Sequence, residues 1–227
     1  MARTSGQETR DKLIRAAEEI FAAQGTDGAQ LRDIVRLAGQ SNPSAVQYHF
    51  GSRAGLLDAV MAGRQARTEA VVAPLLDELA PDCGIRELLT ALVTAEASLL
   101  DDDRGRRCLR ISAQLSHETG LRTGRLHPAL DGTAYGRLIG RIGDRLGALP
   151  PPVRLERMDL ALTLLGAALA DRARQALDGV RPLTDRQFFL ADLVETTTAF
   201  LNARPPGDAC PARRPSRTRT THITRTT

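Results

Sequence analysis

Residues 30–53 read QLRDIVRLAGQSNPSAVQYHFGSR, from Gln30 to Arg53, and this stretch decides the fold. Leu31, Ile34, Val35 and Ala38 fall on one helical face, and Gly39 stops the run. Past the turn, Asn42 suits an N-cap and Pro43 the first turn of a second helix ending at Phe50. Pro43, Val46 and Phe50 share one side of that helix, suited to packing. Ser44, Ala45, Tyr48 and His49 lie opposite, with Gln47 on the flank. Two short helices around a glycine turn are the layout of a helix-turn-helix, whose second helix enters the major groove of DNA.

Working outward, helical periodicity recurs and strand alternation does not. A first helix runs from about Thr9 to Gln24, with Leu13, Ile14, Ala17, Ile20 and Phe21 as its stripe and Gly25 as its stop. Gly51 and Ser52 break the chain, and Ser52 caps a fourth helix carrying Leu56, Leu57 and Val60. Helices follow over about Arg64–Leu79, Ile85–Leu100 and Arg106–Glu118. Another opens at Pro128 and holds Leu138, Ile139, Ile142 and Leu146. Beyond Pro150-Pro151-Pro152, the last two span about Val153–Leu177 and Asp185–Asn202. The pattern predicts an all-α fold of about ten helices. Residues 7–67 form a three-helix helix-turn-helix domain and 68–203 a larger helical domain. Residues 204–227, rich in Arg, Pro and Thr, are too poor in apolar residues to order themselves and are predicted to be a disordered tail.

Composition narrows the function. Of 227 residues 42% are hydrophobic but only 3% aromatic, so the core is aliphatic. The net charge of +4 is misleading as a whole-chain figure. Residues 1–60 carry seven basic and seven acidic residues, while 204–227 carry six Arg against one Asp. The excess charge therefore sits in the tail, and the body is no general polyanion binder. Three well-separated cysteines, Cys83, Cys108 and Cys210, do not make a disulfide framework, which points to a reducing cytoplasm. The longest apolar run, Leu160–Ala170, makes a helix of roughly 17 Å, short of the ~30 Å hydrocarbon core, so no membrane partner is predicted. His49, His117, His127 and His222 show no metal-ligand spacing with each other or with a cysteine, so neither a metal nor a cofactor is implied. Asp101-Asp102-Asp103 reads as a solvated turn, and His117 and Cys108 as structural residues. No glycine-rich phosphate loop follows a strand, and no Ser/Cys–His–acid pattern points to an enzyme.

The residues Thr9-Arg10-Asp11, Leu13-Ile14, Ala16-Ala17, Phe21, Gly25, Ile34, Ala38-Gly39, Tyr48-His49-Phe50-Gly51-Ser52-Arg53 and Leu56-Leu57, in this order and spacing, resemble the TetR family. The resemblance covers about residues 7–67, and the run Tyr-His-Phe-Gly-Ser-Arg is similar to that of one subgroup. Eight residues, Gln40 to Gln47, separate Gly39 from Tyr48, one more than many members carry, and Arg53 stands where many have lysine. Chemistry and resemblance together assign roles on double-stranded DNA. Ser44 and Gln47 read base edges, since Gln can bond adenine in two places, and Ala45 meets a thymine methyl. Tyr48, His49 and Arg53 contact phosphates, as do Gln30 and Arg32 from the start of the preceding helix. Ser41 and Asn42 complete the predicted DNA-contacting set.

The resemblance further implies a cytoplasmic homodimeric repressor of a palindromic operator, released by a small-molecule effector held in the C-terminal domain. Leu88, Leu92, Leu109, Leu115 and Leu138 would line an aliphatic pocket for an apolar or amphipathic effector. Leu165, Leu169, Phe189, Leu193 and Phe200, on the last two helices, would build a four-helix dimer interface. The alternative is a helical interaction or architectural protein with a degenerate DNA-binding domain.

Overall fold

The computed structural model describes residues 2–42, 44–115 and 128–205, and side chains from residue 6 onward. Among these residues there are nine α-helices and no strand. They are α1 (Ala2–Gln24), α2 (Leu31–Leu37), α3 (Ala45–Phe50), α4 (Arg53–Glu78), α5 (Ile85–Ala97), α6 (Asp103–Leu115), α7 (Ala134–Arg145), α8 (Pro151–Leu177) and α9 (Arg186–Asn202). Short 3₁₀ turns cover Ser98–Asp101 and Pro128–Leu130. No helix is long and apolar enough to cross a membrane. Pro43, His117, His127, and residues 206–227 of the tail lie outside the described residues.

Two helices expected on either side of Gly63 are one. The helix α4 runs unbroken through Gly63 and through Pro74. A mid-helix glycine costs about 1 kcal/mol, and both halves of α4 are anchored. Leu56 and Val60 enter one core, and Val72 and Leu76 enter another. The reverse occurs at α3, which begins at Ala45 rather than Asn42. Asn42 Oδ1 accepts the Ser44 N–H at 2.9 Å, a local turn that competes with helix at this point.

The first core gathers Leu13, Ala17, Phe21, Ile34, Val46, Leu56 and Val60, from α1 to α4. It also takes Cys108 and Ile111 from α6, with Leu115 partly buried against it. The second core is built by α4, α5, α7, α8 and α9 around Leu88, Leu92, Leu138, Leu165 and Leu193, and it takes Leu109 from α6. The helix α6 thus belongs to both cores. Polar contacts reinforce the joint. Arg104 makes a two-pronged contact with Glu18 of α1, at 2.7 and 2.8 Å. Arg107 pairs with Glu19 at 3.4 Å, and Gln114 Oε1 accepts the Thr26 N–H at 2.9 Å. Gly105 is the close point at the start of α6, since a Cβ there would stand 2.1 Å from the Leu99 carbonyl oxygen. Burial pushes the Cys108 thiol up to about 11, so it stays protonated and inert at neutral pH.

The acidic run is not a free turn. Asp102 Oδ1 accepts the Gly105 N–H at 2.7 Å, and its carboxylate pairs with Arg67 of α4. Burial pushes the Asp102 carboxyl up, but the Gly105 N–H and the Arg67 guanidinium outweigh this and hold it below its ordinary value. Asp103 pairs with Arg106, and Asp101 with Arg186 of α9.

Two predicted clusters are corrected by the packing. Leu88, Leu92, Leu109 and Leu138 are buried among one another's neighbours in the second core, whereas Leu115 packs against the first, so these five line no common cavity. An apolar void does occur between α5, α7, α8 and α9, walled by Leu89, Ile139, Ile142, Met158, Leu165 and Leu201. It has room for about one water molecule. Leu165, Leu169 and Leu193 also face inward, and Phe189 and Phe200 are half-buried against the same core. The large apolar side chains that α8 and α9 do present outward are Leu160, Leu164 and Phe188, which are 51%, 41% and 58% exposed.

One buried ion pair ties α4 to α5. Arg64 donates to Glu96 Oε2, and both side chains are nearly sealed from solvent. Arg64 Nε and Glu96 Oε1 have no protein partner. Breaking such a pair from one side strands a buried charge and costs about 3–5 kcal/mol, while replacing both partners by apolar residues is often close to neutral. Glu96→Ala is therefore expected to lower the unfolding free energy by about 3–5 kcal/mol. The Arg64→Met/Glu96→Leu double variant should recover most of that loss, as read by urea denaturation.

Candidate DNA interface

The geometry of residues 30–53 follows from two glycines and a set of backbone hydrogen bonds. At the end of α2, Gly39 takes φ +67. Its N–H donates to the Arg36 carbonyl and the Gln40 N–H to the Val35 carbonyl, both at 3.0 Å. This pair of bonds is a Schellman ending, in which a left-handed residue closes the last carbonyls of the helix. Gly51 ends α3 in the same left-handed region, at φ +72. Ser52 then caps α4, its Oγ accepting the Gly55 N–H at 3.0 Å.

The short α3 is wedged against α2 and α4 by Ala45 and Val46, both buried in the first core. Ser44 and Gln47 are exposed, and Tyr48 is 83% exposed. His49 is half-buried, with its ring 4.9 Å from that of Tyr48 in an edge contact and 6.2 Å from Phe50. Ser41, Asn42, Gln30 and Arg32 are exposed on the preceding turn and on α2. Gln30 stands at the N-cap of α2 without a side-chain capping bond, and Asp33 is engaged by Arg36 at 2.9 Å.

Two predicted contacts need correction. Ala45, assigned to a thymine methyl, is 7% exposed and points into the core. A six-residue helix packed on two neighbours buries a wider face than a single stripe, which takes Ala45 inward beside Val46. Arg53, assigned to a phosphate, also turns inward. Its Nη2 donates to the carbonyls of Thr26 and Ala29, the latter at 3.1 Å. Its guanidinium lies 5.6 Å from the Phe21 ring centroid. Arg53 therefore ties the α1–α2 loop to the start of α4.

A residue missed as a contact is Arg10 of α1. Its guanidinium lies 5.1 Å from the centroid of Phe50, the last residue of α3. Thr9-Arg10 stands in the motif, but sequence spacing gives no hint that α1 reaches the end of α3.

Among the described residues no group of three or more His, Cys, Asp or Glu is placed to hold a metal ion. The exposed part of α3 offers hydroxyl, amide and phenol groups on a short, rigidly seated helix. Its chemistry is that of hydrogen-bonded recognition.

Residues 13–60 match the model of the bacterial regulatory proteins, tetR family. The chain is 40% identical over 89 residues to the HTH-type transcriptional regulator SrpR of Pseudomonas putida, a match covering 39% of this chain and 38% of SrpR. It is equally identical over 89 residues to the HTH-type transcriptional regulator TtgW, also of Pseudomonas putida, covering 39% of this chain and 60% of TtgW. The chain thus spans less than two thirds of the length of these curated relatives. In fold it is similar to a TetR-like transcriptional regulator from Rhodococcus sp. RHA1, with a TM-score of 0.52 at 17% identity over 84% of this chain and 93% of the other. The helix-turn-helix seated between α1 and α4 is thus the part of the chain that is similar to the tetR family of bacterial regulatory proteins.

Proposed function

We propose that this protein is a sequence-specific DNA-binding transcription regulator, working as a homodimer that represses from a palindromic operator and is released by a small molecule. The observation that carries the reading is the exposed face of α3. Gln47 and Tyr48 stand free there while Ala45 and Val46 fix the helix from behind. A helix so held keeps its reading side chains in one geometry, and base discrimination depends on that. Ser44 and Gln47 read base edges. Tyr48, His49, Gln30 and Arg32 meet phosphates, with Ser41 and Asn42 at the edge of the contact.

Dimerisation supplies the second half-site, because a palindrome places recognition helices about 34–36 Å apart. The outward apolar side chains Leu160 and Leu164, one turn apart on α8, and Phe188 on α9 support a two-fold pairing of these helices. The effector, apolar or amphipathic, enters the aliphatic layer between α5, α7 and α8, where Met158 is the most pliable wall. Binding there favours the state in which α4 and α6 hold the helix-turn-helix off the operator.

Selection from a random duplex pool tests the reading as a whole, since a specific regulator enriches a palindrome. Against the selected duplex, Gln47→Ala should weaken binding by roughly 1–3 kcal/mol and relax preference at one position per half-site. Unchanged affinity and preference would remove Gln47 from the reading set. Leu164→Glu should yield monomers near half the parent mass by sedimentation, with helical content intact and affinity for the palindrome lost. Leu165→Glu, one residue away but buried, should instead unfold the chain, because it places a charge in the second core. If Leu164→Glu stays dimeric, the interface lies on another face.

A further inference from the structure

Accepting the DNA-binding reading, we propose that Arg10 of α1, and not Arg53, supplies the guanidinium that grips the DNA phosphate beside the recognition helix. Residues 1–60 are charge-neutral, which leaves few cations for a polyanion. Lys12 is paired with Glu8 at 2.6 Å and Arg36 with Asp33 at 2.9 Å. Arg53 points inward onto the Thr26 and Ala29 carbonyls. Arg10, Arg15 and Arg32 are left without an acidic partner among the described residues.

Of these three, Arg10 is the one fixed against α3. Its guanidinium lies 5.1 Å from the Phe50 centroid. Phe50 is one helical turn beyond Gln47, so the cation stands on the flank of the base-reading face. Two properties of this contact matter. A ring beside a guanidinium takes up none of its five N–H donors as hydrogen-bond acceptors do, so they remain available to a phosphate. The site is also the C-terminal end of α3, where the helix dipole favours a positive charge. Arg53 shows the opposite state, with its donors directed to carbonyls and its Nε buried. A phosphate reaching Arg53 would have to displace an internal tie, whereas Arg10 is half-exposed beside Phe50 and has no such tie among the described residues. Arginine is specific here, because a lysine ammonium neither stacks nor forks in this way.

The test uses the full-length protein and two duplexes of equal length, one selected by the parent from a random pool and one of mixed, unrelated sequence. Binding is followed by fluorescence anisotropy across a salt series. Arg10→Ala should weaken both duplexes alike, by about tenfold per half-site, since a charge-assisted bond is lost. The slope of log K against log salt should become shallower by about 0.9 for each phosphate contact removed. Arg10→Lys should retain the slope and recover only part of the affinity. Both variants should melt with the parent. Arg53→Ala should lower the melting temperature and leave the slope unchanged. Parental affinity and slope in Arg10→Ala would overturn the proposal. So would a loss confined to the selected duplex, or a slope change in Arg53→Ala with melting unaltered. A parent that enriches no duplex from the pool and does not bind the unrelated one would overturn the DNA-binding reading itself, and this assignment with it.

Discussion

Because α6 has two buried sides, neither core can be completed without it. Cys108 and Ile111 fill the space under α1, while Leu109 fills the aliphatic layer beneath α5 and α8. The contacts that hold it are chemically mixed. Apolar burial supplies the non-directional part of the attraction, and the Arg104–Glu18 and Gln114–Thr26 contacts set the register. Gly105 allows the start of the helix to sit against the Leu99 backbone, which any Cβ would prevent. The consequence is mechanical. A change in α8 or α5 that moves α6 must also move α1, and with it the helix-turn-helix.

A second theme is how an arginine-rich, aromatic-poor chain finishes its loops. Arg53, Arg106, Arg145, Arg172 and Arg186 all donate to backbone carbonyls at turns or helix ends. These carbonyls are the acceptors left unsatisfied where helices stop. A planar guanidinium reaches two such groups at once, as Arg145 does with Cys83 and Pro81 at 2.7 and 2.6 Å. Counting basic residues thus overstates the charge available to a partner. The cations open to a partner are those whose donors face outward.

The helix pattern was legible because period and punctuation agree over most of the chain. Gly25, Gly39 and Gly51 each mark a real left-handed stop. Gly63 does not, because packing on both sides of it carries α4 through a weak local breaker. Pairing was less legible than periodicity. The apolar stripes of α8 and α9 read as a dimer interface, but a stripe does not say whether it faces its own core or a partner. Leu165 and Leu193 turned out to face their own core. Arg53 failed for a related reason. Its partners are carbonyls more than twenty residues away, and carbonyls carry no sequence signal. Ser44, Gln47 and Tyr48 fared better as exposed positions, since their chemistry and their place in the motif point the same way.

The cysteine on α6 gives the molecule a built-in clock. Cys108 is 3% exposed, and burial keeps its thiol protonated at neutral pH. A thiol reagent can reach it only when α6 parts from α1, so its labelling rate follows the opening of that joint. Any ligand that stiffens or loosens the link between the two cores must then slow or quicken the reaction. The opening of the joint between the two cores can thereby be timed on the natural sequence, without a probe being engineered into it.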